Sequence, residues 1–344
     1  MKKPIVYLFA FLISLSACEK DSEIANEESC NDCENDTYLY VSNEGPFGGT
    51  GSISKINITK RTVINNIYSS ANDEIPIGSI VQSLAFQNNI GYAVLNGSNQ
   101  ITTFKKSTNK YLSSFSIKYP RYVSVSGDYG YITSGNQAGK VYKFELSTNA
   151  IMDSVDVGNG PEQLIISDGK IIVANSGGWI NDSTVAIIDL ETFKLDSLIE
   201  VGSKPSDIVE DKNGFIWVLA SGQYDDTKAP KLVQINPMNW SIEKYLILGS
   251  DDESVSKMTI DKTQENILFY KSDGVYKINV NESSAPIAAF ISASNCYGIE
   301  AKSDVFLFIA PDFSSAGNVK QYSMNGDSIA QYDVGVAPNG GVFN

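Results

Sequence analysis

Four polar segments of this chain set an aromatic ring beside amides or carboxylates, and they are the first place where chemistry could sit. They are Asn43-Glu44-Gly45-Pro46-Phe47, Asn175-Ser176-Gly177-Gly178-Trp179, Ser221-Gly222-Gln223-Tyr224-Asp225-Asp226 and Pro311-Asp312-Phe313-Ser314. Five more polar residues, Gln82, Arg121, Gln163, Lys257 and Tyr297, stand at or near the start of short strand-like runs. Aromatic rings supply contact area at low entropy cost and amides fix orientation, so this set suits a large, flat ligand with a polar edge. The candidate ligand-binding residues are therefore Asn43, Glu44, Phe47, Arg121, Gln163, Asn175, Trp179, Tyr224, Tyr297 and Phe313.

Catalytic chemistry has fewer footholds. The chain contains no histidine, which removes Ser-His-Asp and Cys-His catalysis and His-ligated zinc or haem. Asp225-Asp226 and Asp251-Asp252 lack the alternating carboxylates of a calcium loop, and consecutive strand residues point to opposite faces, so solvated loop charge is expected. Gly48-Gly49-Thr50-Gly51 has no following lysine and no helix to present its amides to a phosphate. No catalytic residue, metal ligand or cofactor is assigned. The 40 acidic residues against 26 basic ones give a net charge of −14, and Arg61 and Arg121 are the only arginines. That balance opposes nucleic-acid binding, which relies on clustered Lys and Arg.

The elements that must carry these residues repeat. Val-Gly-x-x-Pro occurs at Val157–Pro161, Val201–Pro205 and Val334–Pro338, and Pro120 lies 41 residues before Pro161, which lies 44 before Pro205. Two or three residues after each of Pro120, Pro161 and Pro205 an inner strand is expected, at Tyr122–Val125, Leu164–Ile166 and Ile208–Val209. Second strands such as Lys170–Asn175 and Val305–Ile309 follow after Gly, Asn or Asp turns, with alternating third strands at Lys140–Glu145 and Thr184–Asp189. A period of about 43 residues with four strands per unit describes a β-propeller, and residues 38–344 hold seven such units. The fold class expected is all-β, a seven-bladed propeller. Its last segment, from Pro338, starts like an inner strand with no partner after it, while Tyr38–Asn43 lacks an inner strand before it. The two should join and close the ring, so that the C-terminal strand completes the N-terminal blade.

Residues 1–18 read as a lipoprotein signal peptide: Lys2 and Lys3, an apolar run from Ile5 to Leu15, then the lipobox Leu15-Ser16-Ala17-Cys18, with Cys18 the acylated residue. The run is too short to span about 30 Å of hydrocarbon. Residues 19–37 follow as an acidic flexible tether, with eight carboxylates against one lysine up to Asp36. Cys30 and Cys33 lie in it, and an oxidising envelope favours a local disulfide over a zinc site. Cys296 is expected to be a buried or free thiol.

The Val-Gly-x-x-Pro spacing and the second strands ending in Asn43 and Asn175 resemble YVTN-repeat, YncE-like propellers over residues 38–344. Within that group, Tyr40–Gly45, Pro76–Ser83 and Asp211–Val218 are similar to the BtuG-like surface lipoproteins of Bacteroidetes. The resemblance implies capture of a cobalamin-type corrinoid at the cell surface and delivery to a TonB-dependent outer-membrane transporter. It also implies an outer-membrane location held by the lipid anchor alone, with a siderophore or another bulky metal complex as the alternative ligand. Other classes are a lactonase- or quinoprotein-like enzyme, which would gather Asn43, Glu44, Asn175 and Asp312 around a metal, and a protein-interaction scaffold or adhesin. The inner strands are expected to carry no acidic ring.

Overall fold

Second strands in this chain are apolar on both faces: Ile171, Ile172, Val173 and Ala174 are all buried, as are Val305 to Phe308. Such a strand must be covered on both sides, as in the middle of a stack of sheets. The computed structural model describes residues 36–222, 228–253 and 255–344, and residues 37–344 form one compact unit. Cys18, the tether cysteines Cys30 and Cys33, Tyr224, Asp225 and Asp226 lie outside the described residues.

Seven four-stranded antiparallel sheets make up the unit. Their inner strands are Pro338–Phe343 in blade 1, then Val81–Gln87, Pro120–Ser126, Pro161–Ser167, Pro205–Glu210, Val255–Ile260 and Cys296–Ala301 in blades 2 to 7. Each packs against the inner strand of the next blade, and the last against the first, so the sheets close around an axial channel. A seven-bladed β-propeller results. Its hydrophobic core is divided into seven clusters, one between each pair of neighbouring blades. Closure occurs as the two incomplete ends require: Pro338–Phe343 pairs antiparallel with Tyr38–Asn43.

The Val-Gly-x-x-Pro motif is a packing unit. In two of its three copies the glycine lies against the asparagine that ends the second strand of the blade it leads into; a Cβ on Gly158 would sit 2.5 Å from the Asn175 amide nitrogen, and one on Gly335 2.7 Å from Asn43 Cγ, whereas one on Gly202 would meet Lys231 Cε. The residue before six of the inner strands then takes a left-handed backbone: Ile80, Tyr119, Gly160, Lys204, Asn295 and Ala337 all have φ between 49° and 56°. Its carbonyl accepts the N–H of the residue just past the second strand, in Asn96, Gly135, Ser176, Ser221, Ala310 and Glu44 respectively. This clasp ties these six inter-blade connections to the loops beside them. Because the glycine cannot be enlarged without moving a buried amide, Gly158→Ala should lower unfolding free energy by about 1–3 kcal/mol in urea titration with an unchanged slope.

One sequence expectation is corrected. Inner strands begin at the proline itself, two or three residues earlier than the apolar runs suggest, because each contains a β-bulge just inside its start. All seven inner strands carry one.

Candidate ligand-binding face

A bulge sets extra residues of one strand against the partner and re-aims side chains. Here the bulged positions are Gln82, Arg121 with Tyr122, Glu162 with Gln163, Ser206, Lys257, Tyr297 and Asn339. Every one is polar or a tyrosine, and together they encircle one mouth of the channel. The inter-blade connections and the second-to-third-strand loops meet at this same end, so the mouth is rimmed by the aromatic loops.

Two hydrogen-bonded groups organise the mouth. Arg121 donates from Nη2 to Glu162 at 2.7 Å and from Nη1 to Gln82 Oε1 at 2.6 Å, while its Nε contacts the same carboxylate at 3.1 Å. Burial disfavours the guanidinium, but Glu162 outweighs it and the pKa of Arg121 rises. Across the mouth Glu44 accepts from Asn339 Nδ2 at 2.9 Å and from the Tyr297 hydroxyl at 3.2 Å. Burial and the Glu44 charge push the Tyr297 phenol up to about 12. Tyr297 meets Phe313 edge-on, with centroids 5.2 Å apart, and the Lys257 ammonium lies 5.4 Å from the Tyr297 ring centroid.

Below the mouth the channel encloses about 200 Å³ lined by Tyr122, Gln163, Asp207, Lys257, Glu300 and Asn339 among others. That is below the 300–1,000 Å³ typical of a site that engulfs a drug-sized ligand, so a bulky molecule would have to lie across the mouth. Beside it a groove of about 350 Å³ runs between Tyr119, Arg121, Asn136, Glu162 and Trp179. Trp179 is 81% exposed, Phe313 54%, and Phe47 wholly so.

The sequence-expected residues therefore separate. Glu44, Tyr297 and Phe313 come together on one side of the mouth, and Arg121 and Trp179 share the groove on the other. Phe47 stands on the loop after the second strand of blade 1 with no aromatic partner among the described residues. Gln163 faces the channel, its Oε1 accepting the Ile208 N–H. Asn43 and Asn175 are corrected: both are fully buried, their amides bonded to Ser52 and Ser54 and to Thr184, so neither presents a surface to a ligand. Asp312 commits its carboxylate to Ser314 and Ser315, which holds it down at about 2. The quartet Asn43, Glu44, Asn175 and Asp312 thus does not assemble.

The expectation of inner strands without an acidic ring is also corrected. Glu162, Asp207 and Glu300 all sit on inner strands at the channel, balanced by Arg121 and Lys257. Sequence reading passed over Glu162, Asp207, Tyr122, Glu300 and Asn339. The usable signal was position: Arg121, Tyr122, Glu162, Gln163, Asp207 and Asn339 are each the first or second residue after a blade-starting proline. Asp211, in the third resembling segment, instead holds the turn at the opposite end, accepting from Trp217 Nε1 at 2.8 Å.

Residues 38–304 match the sequence pattern of the family described as a domain of unknown function, DUF5074, which is most of the chain. The chain belongs to the DUF5074 family. No curated protein sequence matches this DUF5074 chain. Among solved structures it is similar to a quinoprotein alcohol dehydrogenase-like protein of Bacteroides thetaiotaomicron, with a TM-score of 0.65 at 16% identity over 89% of this chain and 77% of that one. It is also similar to hydrazine synthase of Kuenenia stuttgartiensis (0.62, 12%, 74% and 86%) and to apo AztD of Citrobacter koseri (0.58, 9%, 90% and 98%). At such identities the likeness is one of fold.

Proposed function

We propose that this DUF5074 propeller is a non-catalytic capture protein that holds a bulky, flat, polar-edged ligand across the channel mouth. The observation that carries the reading is the pairing of exposed loop aromatics, Trp179, Phe313 and Phe47, with a ring of polar bulge residues over an opening too small to swallow the ligand. Exposed aromatic rings around a polar opening supply contact area to a ligand while the polar groups fix its orientation. A corrinoid, with an apolar plane and an amide rim, is the ligand class that fits best, and a ferric siderophore is the second. The lipobox at Cys18 supports a lipid anchor, and the likeness of Tyr40–Gly45, Pro76–Ser83 and Asp211–Val218 to BtuG-like lipoproteins supports outer-membrane surface display and transfer of the ligand to a TonB-dependent transporter.

The test is calorimetric titration of the protein lacking residues 1–18 with cobalamin and with ferric siderophores. Saturable heat with cobalamin is expected, and the triple variant F47A/W179A/F313A should weaken binding at least tenfold at unchanged melting temperature, since buried aromatic anchors carry about 1 kcal/mol or more each. No heat with any of these ligands sinks the reading.

A further inference from the structure

Below the mouth the channel wall has an unequal supply of hydrogen-bonding groups. Its acceptors are largely engaged: Asp207 takes the Ser206 hydroxyl at 2.6 Å and the Met258 N–H, and the Gln163 carbonyl takes the Ile208 N–H. The hydroxyls of Ser83 and Ser124 donate to the backbone carbonyls of Arg121 and Leu164. Arg121 is saturated by Glu162 and Gln82. What remains without a hydrogen bond among the described residues are the Glu300 carboxyl and three donors. The Lys257 ammonium makes no ion pair or hydrogen bond among the described residues, whereas Lys170, Lys271 and Lys277 each reach a carboxylate or a carbonyl. The Tyr122 hydroxyl and the Gln163 Nε2 likewise have no acceptor among the described residues, and both line the same cavity. Lys257 moreover occupies its bulge with φ at 53°, a left-handed conformation that costs energy for a residue with a side chain.

We propose that this cavity is a second binding site, for a small monocarboxylate, with Lys257 Nζ, the Tyr122 hydroxyl and Gln163 Nε2 as its donors. It goes beyond the capture of a bulky ligand at the mouth and stands without it. Size sets the first limit: about 200 Å³ equals roughly six waters at their share of liquid volume, room for a molecule of a few heavy atoms. Charge sets the second. Asp207, whose charge already acts on Lys257, stands in the same cavity, so the ammonium offsets at most one added negative charge and a second would face the Asp207 carboxylate. A monocarboxylate is therefore favoured over a dicarboxylate or phosphate. Burial, and then the Asp207 charge, push the Glu300 carboxyl up to about 8, so at neutral pH it adds a further donor.

The experiment is titration of the full-length protein with propionate at pH 7, followed by saturation-transfer NMR and calorimetry, with succinate, inorganic phosphate and ethylammonium as comparison probes. Saturable propionate binding is expected, weakened at least tenfold in Lys257→Met, with each comparison probe bound at least tenfold more weakly. Should Lys257→Met fail to show a cooperative melt, Tyr122→Phe and Gln163→Ala serve instead, each with an expected loss of about threefold. Absence of saturable binding, propionate binding undiminished in the folded variants, or equal binding of ethylammonium or phosphate would overturn the proposal.

Discussion

Deletion of residues 338–344 is expected to abolish cooperative folding. This short segment is the whole inner strand of blade 1, and its contacts reach three blades. Asn339 donates to the Val81 and Gln82 carbonyls of blade 2 and to Glu44, and its Oδ1 accepts from the Ser42 hydroxyl at 2.5 Å. Phe343 packs edge-on against Phe306 of blade 7 with centroids 5.4 Å apart. Without the segment, Tyr38–Asn43 becomes a free edge of apolar character, open to pairing with other chains, and the clusters on both sides of blade 1 lose cover. Circular dichroism on heating should show no sharp transition, and size-exclusion chromatography should show aggregates. A melt within a few degrees of the intact protein would show that the ring does not depend on this closure.

Glu300 gives the second large effect. Its carboxyl is surrounded by protein but lines the open channel, and burial, followed by Asp207, raises its pKa from 4.5 to about 8 against the pull of Lys257. The folded state thus holds a proton on Glu300 between these values while the unfolded state has released it. Stability contributed by this group is full below about 4.5, falls as pH rises, and levels off above about 8. A shift of this size corresponds to about 4–5 kcal/mol, and the partial solvent access of the channel reduces the expected loss to about 2 kcal/mol. Glu300→Gln keeps the neutral shape, so urea titrations at pH 5 should find the two proteins alike and at pH 9 the variant more stable by about 2 kcal/mol. Equal stability at both pH values would contradict the placement of Glu300.

The architecture was legible because it repeats. Prolines 120, 161 and 205 mark blade starts, and the unpaired Tyr38–Asn43 and Pro338–Phe343 ends announce the closure. The exposed aromatics were legible too, since Phe47, Trp179 and Phe313 follow second strands and so fall on one end of the propeller. The asparagines were misread because Asn43 and Asn175 stand at the strand–loop border; only the glycines folded against them, Gly335 and Gly158, reveal that they point inward. The charged channel was invisible for another reason. Asp207, Lys257 and Glu300 are 50 and 43 residues apart and meet only after the ring has closed and each strand has bulged. A bulge changes no residue type, so no composition signal marks it.

Trp179 offers the most direct measurement of whether the mouth and its groove bind the ligand. It is the one highly exposed tryptophan of three, Trp217 being buried and Trp240 packed against the core. Titration with cobalamin, followed by tryptophan fluorescence in the intact protein and in Trp179→Phe, separates a ligand on this face from one elsewhere. Capture across the mouth predicts saturable quenching in the intact protein that is mostly lost in Trp179→Phe, while calorimetry still detects binding to the variant. Quenching of equal amplitude in both proteins, or quenching that never saturates in either, would contradict it.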